Sequence, residues 1–340
     1  MSLIVILKPG STDETIDRVC GRIRELGLAP HIARGDLRTV IGAFGDEAVL
    51  KQDKLEQIDG VESVTPITKP YKLASRDFHA ADTVIEVRNV KIGGSHAAII
   101  AGPCAIESRD LLFEVAGWVK KAGAAILRGG AFKPRTSPYA FQGMGFDGLK
   151  LLREAGDEFD MPVITEVIDS RDVSRVADYT DILQVGARNM QNYHLLMEVG
   201  RTDKPVFLKR GLSATVQELL MSAEYVMSEG NHRVILCERG IRTFETSTRF
   251  TLDIAAVPVL RRECHLPVYV DPSHAAGKRD FVADLARAGL AAGAHGVIVE
   301  VHTNPDKALC DGPQALLPVE FTTLMQQLQH IATVCGKSLS

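Results

Sequence analysis

The chain has 340 residues, 45% of them hydrophobic, with 39 Lys and Arg against 43 Asp and Glu for a formal net charge of −4. That length allows one large core plus a small extra domain, and the near-neutral balance without a long basic run argues against a nucleic-acid partner. The opening MSLIVILKPG has no basic leader and no stretch approaches the ~20 apolar residues of a membrane span, so no membrane partner and a cytoplasmic location are expected. Cys20, Cys104, Cys237, Cys264, Cys310 and Cys335 are scattered without CxxC spacing. This is the pattern of a reduced compartment, and taken singly each cysteine reads as a small buried hydrophobe.

Residues 1–70 read as strand, helix, strand, strand, helix, strand. LIVIL opens the series, Ser11 and Glu14 make a capping-box pattern, and Ile16, Val19, Ile23 and Leu26 recur at helical spacing until Gly27. HIA and TVIGA are short strand-like runs, a second helix is expected over about residues 46–58, and VESVTPI follows Gly60. The order predicts a small ferredoxin-like α+β domain. Residues 71–83, YKLASRDFHAADT, read as a linker. TVIEV and VKIGG then pair as a hairpin at the head of a unit spanning 84–340.

From there short apolar runs recur: AAIIAG (97–102), AAILRG (124–129), PVITEV (162–167), DILQVG (181–186), PVFLKRG (205–211), RVILCERG (233–240), PVYVDPSH (267–274) and HGVIVEVH (295–302). Most intervals between them fit one helix, as in LLFEVAGWVKKAG and TVQELLMSAEYVMSEG. Doubly apolar strands alternating with helices predict a parallel sheet buried on both faces, and eight repeats favour an α/β (β/α)8 barrel, a TIM barrel, over an open doubly wound sheet. No GxGxxG or Walker A loop follows any strand, which counts against the open sheet.

Each run ends on its C-terminal side in charged or metal-capable residues, and in a barrel those ends converge on one mouth. Arg128, Lys133, Arg135, Arg188, Lys209 and Arg239 are cations that would repel one another without a multiply charged anion. The residue before a proline favours extended backbone. Lys133 and Arg135 of KPRTS therefore project to one side, beside the hydroxyls of Thr136 and Ser137. Two cations so spaced suit anionic groups on two different small molecules. Cys104, His274, Glu300 and Asp311 supply a thiolate, an imidazole and two carboxylates, a mixed donor set suited to one divalent ion of the Mn, Fe, Co or Zn kind.

The segments GPCAIES, LRGGAFKPRTSPYAFQG, ITEV, QVGARNMQN, FLKRG, ILCERGIRTFE, DPSHAAGKR and VEVHTNPDKALCDGPQAL resemble, in order, those of 3-deoxy-D-arabino-heptulosonate 7-phosphate (DAHP) synthases. The amino-terminal domain resembles the appendage of the type I beta subfamily. The resemblance implies a metal-dependent aldol-type transferase that condenses phosphoenolpyruvate with D-erythrose 4-phosphate, the first step of the shikimate pathway to aromatic amino acids. It implies that Cys104, His274, Glu300 and Asp311 bind the metal. Arg128, Lys133 and Lys209 would hold the carboxylate region of phosphoenolpyruvate, with Arg188, Arg239 and the Ala187 backbone on its phosphate. Arg135, Thr136 and Ser137 would take the phosphate of erythrose 4-phosphate. Lys133, Glu166, Lys209 and His274 carry the catalytic expectation.

The same resemblance implies a homo-oligomer, a tetramer or a dimer, and a tyrosine or phenylalanine feedback effector at the amino-terminal domain. Cys310, beside Asp311, is expected to approach Cys104 and close a disulfide on oxidation. Two alternatives stand beside this reading. A 3-deoxy-manno-octulosonate 8-phosphate synthase shares the GPC start but is expected to carry a KANRSS-like loop where this chain has KPRTS. A non-catalytic amino-acid-binding regulatory barrel would not need all four donors and all six cations.

Overall fold

In a computed structural model, which describes residues 2–34, 38–44, 55–67, 69–134 and 137–340, the amino-terminal apolar runs form an antiparallel sheet. Its strands are β1 (Ser2–Leu7), β2 (Ala29–Arg34), β3 (Thr39–Phe44) and β4 (Val61–Ile67), in the order β2-β3-β1-β4. Helix α1 (Asp13–Glu25) packs Ile16, Val19 and Ile23 with Val5, Leu7 and Ile41 of the sheet. This is the ferredoxin-like domain. Its helix cap differs from the Ser11 box expected from sequence. Ser11 Oγ donates back to Lys8 O at 2.7 Å, and Thr12, in extended backbone, accepts from Thr15 N instead. Most of the second helix expected over 46–58 lies outside the described residues, which resume with a single turn at Leu55–Gln57.

The hairpin forms as β5 (Ile85–Val87) and β6 (Val90–Ile92). Eight parallel strands follow: β7 (His96–Gly102), β8 (Ile126–Arg128), β9 (Val163–Glu166), β10 (Ile182–Val185), β11 (Val206–Lys209), β12 (Val234–Glu238), β13 (Val268–Val270) and β14 (Gly296–Glu300). Each pairs with the next, and β14 pairs back onto β7 from Gly296↔Ala98 to Glu300↔Gly102. That closing pair makes a barrel and removes the open-sheet alternative.

Helices α2 (Arg109–Ala122), α3 (Gly145–Glu158), α4 (Val173–Ala177), α5 (Tyr193–Gly200), α6 (Val216–Ser228), α7 (Ala256–Glu263), α8 (Pro272–Ala276), α9 (Val282–Ala291) and α10 (Pro318–Val334) occupy the intervals. A short strand, β15 (Ser338–Leu339), ends the chain beside β7. Contacts divide the chain into two compact units. One reaches Asp82 and includes Arg262–His265; the other is Thr83–Arg261 with Leu266–Ser340.

Period-two geometry explains how the barrel positions its chemistry. Ile126, Ile164, Ile182, Phe207, Cys237, Tyr269 and Ile298 share one buried cluster with Ile85, Val87, Val90 and Ile92 of the hairpin. The hairpin thus closes the floor. Two residues further along each strand, on the same face, stand Arg128, Glu166, Gln184, Lys209, Arg239, Asp271 and Glu300. The floor depends on close approach at Gly296, where an added Cβ would lie 2.2 Å from Ala98 O and 2.3 Å from the Tyr269 ring. Gly296→Ala is therefore expected to cost about 1–3 kcal/mol, read as a lower midpoint of chemical unfolding with unchanged m-value.

Candidate active site

The mouth of the barrel holds a cavity of about 280 Å³. On one side lie the four metal-capable residues, distant in sequence and gathered in space. One ligand atom from each of Cys104, His274, Glu300 and Asp311 falls within 4.8 Å of the others. Cys104 Sγ is 3.5 Å from Asp311 Oδ2, and His274 Nε2 is 3.3 Å from Glu300 Oε1 and 4.0 Å from Asp311 Oδ2. Glu300 is fully buried and its Oε1 has no hydrogen-bond partner among the described residues, although Arg128 Nη1 lies 3.1 Å away. An orphaned buried carboxylate oxygen facing a thiol, an imidazole and a second carboxylate fits a divalent cation.

The ionisation states agree with that fit. Burial pushes the His274 imidazole down, towards the form that can offer a lone pair to a cation. Burial alone would raise the two carboxyls. His274 and Arg128 outweigh it at Glu300, holding that carboxyl below its ordinary value, and His274 and Arg249 hold Asp311 at about 2. A hydrogen bond to Cys310 and burial push the Cys104 thiol well up, and ligation would have to displace its proton.

Cations fill the other side. Arg128 Nη2 donates to Cys104 O at 3.4 Å, while Lys133 Nζ donates to the same carbonyl at 3.2 Å and reaches Cys104 Sγ at 3.1 Å. Lys209 is buried against Asp271. Arg239 is buried too, with Nη1 lacking any hydrogen-bond partner among the described residues and the guanidinium over the Phe250 ring at 4.3 Å. Arg188 and Ala187 enter from the turn after β10, and Ser137 from the KPRTS loop. Glu166 also lines the cavity. Its carboxylate lies against Gly186, where a Cβ would sit 2.0 Å from Oε1, and Gln184 Nε2 donates to Oε2 at 3.3 Å. Arg135 and Thr136, expected on the second phosphate, lie outside the described residues.

A family model described as the DAHP synthetase I family matches residues 76–334, and one described as the DAHP synthase ferredoxin-like domain matches residues 3–69. The chain belongs to the DAHP synthetase I family. Within the family's reach, it is 53% identical over 334 residues to a phospho-2-dehydro-3-deoxyheptonate aldolase of Thermotoga maritima, covering 98% of this chain and 99% of the relative. A crystal structure of a DAHP synthase from that organism superposes with a TM-score of 0.80 at 52% identity, covering 100% of this chain and 99% of that one. A 2-dehydro-3-deoxyphosphooctonate aldolase of Syntrophobacter fumaroxidans is 34% identical over 72% of this chain and 91% of its own length.

The site of this DAHP synthetase family member also contains residues that sequence reading did not assign to it. Asp271 is fully buried between Lys209 and the metal-side histidine. Its Oδ1 accepts the His274 backbone N–H at 2.9 Å, and its Oδ2 lies 2.8 Å from His274 Nδ1, at ion-pair distance but off the hydrogen-bond axis. Burial would raise its carboxyl, but His274 and Lys209 hold it well below the carboxylate range. Gln314 Nε2 donates to Glu300 Oε2 at 2.6 Å, and Arg249 lies 3.5 Å from Asp311 Oδ1. Asp271 opens the motif DPSH as the N-cap of α8, a signal that pointed to local structure as much as to the site. Asp271→Asn is expected to weaken metal affinity by about 10–100-fold, checked by competition with a chromogenic chelator.

Proposed function

We propose that the chain condenses phosphoenolpyruvate with D-erythrose 4-phosphate to give DAHP and phosphate, at the mouth of its barrel. The observation that carries this reading is the side-by-side placement of four metal-capable donors and a bowl of cations, in a chain of this family. Cys104, His274, Glu300 and Asp311 would hold one divalent ion of the Mn, Fe, Co or Zn kind. Such an ion supplies Lewis-acid polarisation of a carbonyl oxygen when bound.

The chain's own residues do the rest. Arg128, Lys133 and Lys209 seat the carboxylate end of phosphoenolpyruvate; Arg188, Arg239 and the Ala187 N–H seat its phosphate. Ser137, with Arg135 and Thr136, takes the phosphate of the aldose. Carbon 3 of phosphoenolpyruvate bonds to the aldehyde carbon, water adds at carbon 2, and phosphate departs by C–O cleavage. Lys133 is raised above its ordinary value in spite of burial, so its charged Nζ can donate a hydrogen bond to the aldehyde oxygen. Glu166, beside Gln184 at the cavity wall, is placed to orient the water.

The four-carbon substrate follows from a seven-carbon product less the three carbons of phosphoenolpyruvate. Phosphate release with phosphoenolpyruvate, Mn²⁺ and either erythrose 4-phosphate or a five-carbon aldose phosphate tests the reading. Turnover with the four-carbon aldose supports it, and turnover confined to the five-carbon one replaces it with the octulosonate reaction. The ferredoxin-like domain is proposed to bind a tyrosine or phenylalanine effector; an intact chain indifferent to both amino acids removes that role.

Cys104 and Cys310 bear on oxidation. Their sulfurs are 3.3 Å apart, and peroxide would convert the two thiols to a disulfide and itself to water, taking Cys104 from the donor set. Inactivation by peroxide, reversed by dithiothreitol and blunted in Cys310→Ser, is the expected result. Unchanged inactivation of that variant would count against it.

A further inference from the structure

Two buried charges at the mouth have no part in the roles above. Arg210 follows Lys209 and Glu238 precedes Arg239, so each points to the face opposite the cavity. They meet there. Arg210 Nη1 lies 2.8 Å from Glu238 Oε2 and 2.8 Å from Asp253 Oδ2, and Arg210 Nε donates to Ala214 O at 2.8 Å. The other oxygen of Glu238 accepts two backbone N–H groups, from Gly240 at 2.7 Å and Asp253 at 3.3 Å. One carboxylate therefore holds both ends of the excursion 240–253.

That excursion shapes the anion site. Its Phe250 lies under the Arg239 guanidinium, and it is bonded to the helix bearing His274 through Phe250 N to Ala275 O (2.8 Å) and Arg249 N to Ala276 O (3.0 Å). Among the described residues Arg239 has no carboxylate within salt-bridge reach, and its Nη2 donates to His274 O at 3.4 Å on the helix to which the excursion is bonded, so its position depends on this frame. A buried ion pair is a poor device for stability, since well-packed apolar side chains do as well or better. The geometry points elsewhere. We propose that Glu238, with Arg210 and Asp253, is a positioning residue that fixes the 240–253 excursion and thereby aims Arg239 at the phosphate of phosphoenolpyruvate. The inference rests on the function proposed above.

The test compares Glu238→Gln, which keeps size and the acceptor for Gly240 N–H while losing the charge, with Asp253→Asn at the rim, where the side chain is 29% exposed. Steady-state kinetics are measured against each substrate separately, and phosphoenolpyruvate binding by calorimetry. The expected result is a KM for phosphoenolpyruvate raised about tenfold, with the KM for erythrose 4-phosphate and the metal content unchanged. Unchanged values, or equal rises for both substrates, would overturn the proposal. If circular dichroism shows Glu238→Gln unfolded, Asp253→Asn decides by the same criterion. If the wild-type chain itself fails to turn over, the proposed function falls. The clamp is then judged by calorimetry alone, and equal phosphoenolpyruvate affinity in wild type and variant would overturn it.

Discussion

Cys104→Ala is expected to lower turnover by more than about a hundredfold and to bring bound metal from one ion per chain to nearly none. Loss of a supporting residue around a metal already costs 10–100-fold, and Cys104 supplies one of the four gathered donors itself. The three remaining donors still carry the negative charge of Glu300 and Asp311, but the soft thiolate that favours a transition ion is gone. Fold should survive, because the change removes one sulfur from a small cluster with Ala105 and Cys310; a cavity of that size costs about 1 kcal/mol. Elemental analysis after dialysis reads the metal, and thermal unfolding reads the fold. Cys237→Ala is the control, since Cys237 is equally buried but belongs to the barrel floor and should leave metal content intact. A Cys104→Ala protein that retains its metal would overturn the ligand assignment.

Lys209→Met carries the second large effect. Lys209 pairs with Asp271 in full burial, so the substitution removes both the proposed donor to phosphoenolpyruvate and the partner of a buried carboxylate. Loss of a preorganised donor is expected to reduce kcat/KM for phosphoenolpyruvate by about 10²–10³. Leaving Asp271 without its lysine should cost up to about 3–5 kcal/mol, tempered by His274 on its other side. The two losses separate in the double variant Lys209→Met/Asp271→Asn. Stability should return in part because the lone charge is gone, while activity should not. A single variant with wild-type KM for phosphoenolpyruvate would remove Lys209 from the substrate site.

Much of this was legible in the amino-acid order because a parallel barrel imposes simple rules. Strands buried on both faces read as apolar runs, so all eight runs from AAIIAG to HGVIVEVH could be placed. The C-terminal ends of those strands converge on one mouth, which is why Arg128, Lys209 and Glu300 at strand ends, and Cys104 two residues beyond β7, stood out. Asp271 was harder, because an Asp before Pro-Ser-His is also what a helix cap requires, and it serves as one. Gln314 and Arg249 come from irregular excursions, where no periodicity tells which way a side chain faces. Arg210 and Glu238 show the limit most clearly. Adjacent in sequence to site residues and alike in charge, they turn to the other face of their strands, and only coordinates reveal that they bind each other. The Ser11 cap failed for a local reason, since its hydroxyl found Lys8 O first.

Among the described residues, the hairpin beneath the barrel closes the base of the reaction chamber and leaves its mouth as the doorway. In the proposed reaction both reactants, the water and the departing inorganic phosphate would share it. Phosphate released at its proposed seat on Arg188 and Arg239 would leave by the same mouth through which phosphoenolpyruvate enters. Accumulated phosphate should consequently compete with phosphoenolpyruvate for re-entry, throttling the enzyme by its own by-product.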